Sequence, residues 1–179
     1  MKINFIIILC IFQIGNASII LDKCKENIQT IFSKDDSLEQ IIWSIPTKIK
    51  KEIEIQTKQR FFRNNLHIWK IYKNNSIIGT AILDNVLGKS MPISFLVIFN
   101  LNGQILNTKI IKYREPYGGE ISSLNWLNQF TNRTDSSSFK IGKEIDGISG
   151  ATISVNSVSI GIHKLALLYP ILNLIHKRE

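Results

Sequence analysis

Apolar positions along the chain change their period several times, and each change marks an element. Between Leu21 and Phe32, Ile28, Ile31 and Phe32 fall at helical spacing, which predicts a first helix. Asp35-Asp36-Ser37 can cap a second helix through Glu39, Ile41, Ile42 and Trp43, stopped before Pro46, and the stretch after it is extended in character. Leu66 to Tyr72, the turn Lys73-Asn74-Asn75-Ser76 and Ile77 to Leu83 read as a β-hairpin. Ile93 to Asn100 is a nearly continuous apolar run. Asn102-Gly103 follows as a strong hairpin signal, and Ile105 to Tyr113 alternates as its partner strand. Leu124 to Phe130 predicts a short helix with Trp126, Leu127 and Phe130 on one face, and Thr131 to Ser138 a polar surface loop.

The final segment is helical from Asn156 or Ser157, with Val158, Ile162, Leu165, Leu168 and Leu172 repeating at spacings of three and four. Pro170 should kink or interrupt it. Its apolar character invites a membrane reading, but His163, Lys164 and Asn173 break the run and favour a core helix. No internal repeat or linker is visible. The pattern predicts one α+β domain over residues 18–179.

The first residues have a different character. Met1-Lys2, an apolar run from Ile3 to Ile14 and the small residues of Gly15-Asn16-Ala17 form a signal-peptide pattern with cleavage after Ala17. The run is shorter than the roughly 20 apolar residues of a transmembrane helix. The expected location is periplasmic or otherwise exported, with membrane association if the segment is retained. Cleavage removes Cys10 and leaves Cys24 unpaired, so the mature domain rests on its core without an intrachain disulfide.

Composition adds a net charge of +8, with short basic clusters at Lys48 to Lys51 and His176 to Arg178. Such a balance suits anionic surfaces or acidic partners. No nucleic-acid motif accompanies it, so no nucleic-acid partner is expected. His67, His163 and His176 lack metal-ligand spacing, and no metal is expected.

The chemistry concentrates at Asp146-Gly147-Ile148-Ser149-Gly150-Ala151-Thr152. Ser149, Gly150 and Ala151 are small and leave room for a bulky group to approach the Thr152 hydroxyl. A helix begins soon after, and the free N–H groups of a helix N-terminus favour phosphate. The same residues also serve turns and caps, and spacing alone leaves both readings open.

This segment, continued by Ile153-Ser154, resembles the flavinylation motif of the FMN-binding domain family. That family includes exported subunits of the sodium-pumping NADH:quinone reductase and of Rnf-type oxidoreductases, and stand-alone periplasmic FMN-binding proteins. The resemblance extends over roughly Gly79 to Leu168. Gly88-Lys89-Ser90-Met91-Pro92-Ile93 leads into the apolar strand. Tyr113 to Ile121 resembles the loop in which the family places a Glu and glycines beside the flavin, and Trp126 and Phe130 match the short helix after it.

The resemblance implies a mainly antiparallel sheet flanked by helices, and FMN joined as a phosphoester to Thr152 by a separate flavin transferase that uses FAD and magnesium. Asp146, Ser149, Gly150, Ala151, Glu115, Tyr117, Gly118 and Gly119 are the further cofactor-binding candidates. Tyr117 can stack on the ring or pack at the loop base, and Gly118-Gly119 can admit the ring or simply supply a turn. Glu115 and Glu120 can tune the ring or remain surface carboxylates, and Lys89 can meet phosphate or follow the turn at Gly88.

Two departures from the large-complex subunits point to the stand-alone proteins. A convincing membrane anchor is missing, and Glu115-Pro116-Tyr117-Gly118 stands where those subunits carry Glu-Thr-Pro-Gly. The expected function is electron transfer between redox partner proteins, membrane-bound ones among them, rather than an enzyme with its own substrate. The alternatives are a flavin-dependent reductase acting on a small acceptor, and a flavin-free membrane-surface or interaction module.

Overall fold

The computed structural model describes residues 18–176, with side chains through Leu174; the signal-peptide segment lies outside the described residues. A helix over residues 18–31 (α1) precedes β1 (Ser37–Ser44), α2 (Thr47–Thr57), β2 (Asn65–Lys73) and β3 (Ser76–Leu87). Then come β4 (Pro92–Phe99), β5 (Ile105–Lys112), a 3-10 turn at Gly119–Ser122, α3 (Leu124–Leu127), a second 3-10 turn at Asn128–Phe130, and α4 (Thr152–His176). The five strands form one antiparallel sheet in sequence order, β1-β2-β3-β4-β5. This is the α+β architecture the sequence predicts.

Helices cover both faces of the sheet, which explains the unbroken apolar run of β4. Phe95, Val97 and Phe99 face α2, α3 and α4, while Leu96 and Ile98 face α1 with Trp69, Ile71 and Ala81. Cys24 and Ile28 bring α1 onto that second face. Burial pushes the Cys24 thiol up to about 12, so it acts as a small apolar side chain. Both predicted hairpins are present. Asn74 and Asn75 take positive φ (50° and 61°) in the β2–β3 turn, as a primed turn requires.

Two expectations are corrected between Asp35 and Thr57. The predicted second helix through Glu39 to Trp43 is strand β1, paired with β2 through Ile41↔Ile68 and Trp43↔Leu66. Ile41, Ile42 and Trp43 suit a half-covered edge strand, and hydrogen bonds to β2 outweigh a weak helical spacing. Pro46 does not end a helix but stands at the N-cap of α2. The segment after it, read as extended, is α2, whose Ile49, Ile53 and Thr57 form one inward stripe.

α4 also differs from expectation at both ends. It begins at Thr152, four residues ahead of Asn156, and is continuous through Pro170. Thr152-Ile153-Ser154-Val155 has poor intrinsic helix propensity, but Val155 and Val158 are buried and packing overrides it. The helix is long and apolar enough to cross a membrane; here Val158, Ile162, Leu165 and Leu168 are buried against the sheet. Gly161 permits the close approach, since a Cβ there would lie 2.8 Å from Phe95 and from Val86. Inside this interface Lys164 and Asp84 are both buried, with Nζ 3.5 Å from Oδ2. Lys164 also donates to the Arg60 carbonyl and sits 4.3 Å from the Phe61 ring centroid.

Candidate functional site: a cavity at the start of the last helix

The chain reaches Thr152 along a tightly held path. Arg133 donates to the carbonyls of Gln129, Ser138 and Glu144, so the predicted polar loop is folded around one guanidinium. Trp126 Nε1 donates to the Asp146 carbonyl at 2.8 Å, and the Asp146 N–H donates to Gln129 Oε1 at 2.8 Å. Gly150 then takes φ +76°, and Ala151 is buried against the core.

Helix α4 starts with no side-chain cap oxygen. The Ala151 carbonyl accepts from Val155 N at 2.9 Å, which puts Ala151 at the capping position. The N–H groups of the first turn have no acceptor within an α-helix, so Thr152, Ile153 and Ser154 present donors and the positive end of the helix dipole.

The loop after β5 is fastened to this turn by Tyr113. Its hydroxyl donates to the Tyr117 carbonyl and lies 3.2 Å from Ser154 Oγ. Gly118 has φ +81°, and a Cβ there would lie 2.8 Å from the Ala151 Cβ and 2.9 Å from the Tyr113 hydroxyl. Both the backbone angle and the contact call for glycine.

Glu115 fixes the third wall. Its carboxylate accepts from the N–H groups of Ser90 (2.7 Å) and Met91 (2.9 Å), and from Ser90 Oγ (3.0 Å). The two backbone donors hold its carboxyl below the usual carboxylate range. It thereby ties the β3–β4 loop, with Lys89 and Ser90, beside the loop after β5.

These three segments enclose an open cavity of about 590 Å³. Lys89, Ser90, Tyr113, Glu115 and Tyr117 line one side, and Gly150, Ala151 and Thr152 the other. Of the sequence candidates, Thr152, Gly150, Ala151, Glu115 and Tyr117 line it. Gly118 packs against Ala151 behind the wall. Asp146 and Ser149 are exposed and do not line it; Asp146 acts through its backbone. Gly119 opens a 3-10 turn, and Glu120 is exposed. The Tyr117 side chain is 82% exposed at the mouth. Sequence reasoning missed the roles of the Tyr113 hydroxyl, Ser90 and Ser154. Their only signal is position, since each lies in or beside a segment already singled out.

Residues 88–166 match the model of the FMN-binding domain family. Over those residues the chain is similar to an FMN-binding domain. Two curated relatives are the ion-translocating oxidoreductase complex subunits G of Buchnera aphidicola, subspecies Acyrthosiphon pisum and Schizaphis graminum. They are 28% and 29% identical over 128 residues, 64% of this chain. The matches span 77% of the first relative and 63% of the second. Among solved structures, Shewanella oneidensis NqrC superposes with a TM-score of 0.50 at 15% identity, over 75% of this chain and 80% of that one. That likeness is one of fold. The cavity lies within the matched domain, and both curated relatives are subunits of complexes.

Proposed function

We propose that this chain holds FMN in the cavity, joined through its phosphate to the Thr152 hydroxyl, and passes electrons between redox partners outside the cytoplasm. The observation that carries this reading is that the Thr152 hydroxyl, the uncapped first turn of α4, Lys89 and Ser90 all border one cavity. The residues fit the cofactor. Free N–H groups and Lys89 suit a phosphate. Pro116, Tyr117 and Ile153 give the flat ring system apolar surface at the mouth. The volume is in the range of ordinary ligand sites, about 300–1,000 Å³.

FMN bound there supplies one- and two-electron transfer, and the protein supplies position and access. Attachment by a flavin transferase forms a bond from Thr152 Oγ1 to phosphorus. The pyrophosphate bond of FAD breaks, AMP leaves, and the hydroxyl proton passes to solvent. Covalent attachment suits an exported protein, because a cofactor lost there is not readily replaced. The relatives' membership of complexes supports redox partner proteins, with a membrane-bound complex as one source.

Intact mass tests the assignment. Protein co-expressed with a flavin transferase is expected to gain about 440 Da, FMN less one water, and to keep it after denaturation. Thr152→Val should abolish the gain while leaving the circular dichroism spectrum unchanged. Wild-type chain that stays unmodified where a known acceptor is flavinylated overturns the reading.

A further inference from the structure

The end of α2 forms a second surface that the flavin site does not use. Residues 46–63 carry Lys48, Lys50, Lys51, Lys58, Arg60 and Arg63 against only Glu52 and Glu54. Glu54 is already engaged, by Lys50 at 3.9 Å and by the Phe61 N–H at 2.8 Å. Lys51, Lys58 and Arg60 are exposed and have no ion-pair partner among the described residues. With Ile55, Gln59 and the engaged Glu54 they line a shallow groove of about 310 Å³, three cations to one carboxylate. Ile55 is 77% exposed and Phe62 44% exposed, so apolar surface lies among the cations.

The groove is close to the flavin cavity. Gln59 Nε2 donates to the Ser157 carbonyl at 3.0 Å, and Lys164 donates to the Arg60 carbonyl. Residues 59–60 therefore lie along the first half of α4. Ser157 is five residues from Thr152, about 7.5 Å along the axis. Adding a helix-packing separation of 8–10 Å places the groove roughly 12 Å from Thr152.

We propose that this groove is the docking surface for an acidic redox protein that exchanges electrons with the cofactor at Thr152; the proposal rests on the flavin reading of the cavity. Partner carboxylates meet Lys51, Lys58 and Arg60, and Ile55 and Phe62 supply a small apolar contact. In the exchange one redox group loses the electron the other gains, and no bond is made or broken. A concave, basic groove suits projecting carboxylate side chains better than a flat lipid surface, into which only two apolar side chains would insert. Small, charge-steered interfaces suit electron-transfer encounters.

The test compares two triple variants with the same change in net charge. Lys51→Glu/Lys58→Glu/Arg60→Glu reverses the groove. Lys25→Glu/Lys34→Glu/Lys73→Glu reverses exposed cations on α1, on the loop after it and at the far end of β2. The probe is a strongly acidic plant-type [2Fe–2S] ferredoxin at low salt, with basic cytochrome c as the opposite-charge control. Folding of each variant is checked by circular dichroism. Binding is measured on flavin-loaded and flavin-free chain, and the second-order rate of flavin reduction on loaded chain only.

The groove triple is expected to weaken ferredoxin binding and slow reduction about tenfold or more, with the distal triple within about threefold of wild type. Equal weakening by both triples overturns the proposal, because net charge alone then accounts for binding. So does the absence of ferredoxin binding at low salt, or groove-dependent binding seen only with phosphatidylglycerol vesicles. Groove-dependent ferredoxin binding by a chain that never takes up FMN keeps the docking surface and sinks the flavin reading instead.

Discussion

The buried Lys164–Asp84 pair gives a prediction that can be worked from distances. At 3.5 Å, with an effective dielectric near 20, the attraction is about 5 kcal/mol. Desolvating each ion costs several kcal/mol, so the pair is close to neutral in net stability. Removing one partner is another matter. Lys164→Met leaves Asp84 buried, with Oδ1 accepting from Asn85 N but Oδ2 without a hydrogen bond. The expected loss is about 3–5 kcal/mol.

Asp84→Asn keeps an oxygen for Asn85, and Lys164→Met/Asp84→Asn should recover part of that loss. The expected coupling is about 2 kcal/mol, measured by urea unfolding followed through tryptophan fluorescence. Burial already raises the Asp84 carboxyl. A carboxyl raised on folding favours the folded state when protonated, so the Lys164→Met deficit should shrink as pH falls through that raised value. An additive cycle, or a single-variant loss under about 1 kcal/mol, refutes the reasoning.

Two further predictions concern the site. Glu115→Gln should loosen the β3–β4 loop, read as faster hydrogen exchange at the Ser90 and Met91 amides. Because the folded Glu115 carboxyl is lowered from 4.5, its contribution in wild type is present above that value and is lost as pH falls through the lowered one. Gly118→Ala should cost about 1–2 kcal/mol for the left-handed backbone alone. It should also push Ala151 outward, lowering flavin incorporation per molecule as measured by intact mass.

Much of the fold was legible because the period-2 and near-continuous apolar runs from Leu66 to Tyr113 have few other homes. The Asn102-Gly103 turn fixed one hairpin outright. Residues 37–57 are ambiguous in sequence because Ile41-Ile42-Trp43 fit either period and Pro46 can begin a helix as well as end one. Pairing with β2 decides the first, and the buried stripe of Ile53 and Thr57 decides the second. At the site, the motif located Thr152, but side-chain direction is a tertiary property. Nothing local reveals that the Glu115 carboxylate turns to the Ser90 and Met91 amides, or that Asp146 engages only its backbone. In the sequence Lys164 only interrupts an apolar run, because its partner lies 80 residues upstream on β3.

In this sheet, chain order and spatial order coincide, so each strand pairs with the one made just before it. From β2 onward these contacts close short loops and form quickly. A chain emerging from its N-terminal side can pair β2 with β1 across α2 and then add β3 to β5 hairpin by hairpin, while the apolar face under α4 waits uncovered. α4 then closes that face and brings the Thr152 hydroxyl up to the walls built by residues 89–90 and 113–117 in one movement. A modifying enzyme that requires those walls would act only on finished protein, so a flavin on Thr152 would serve as a seal of completed folding.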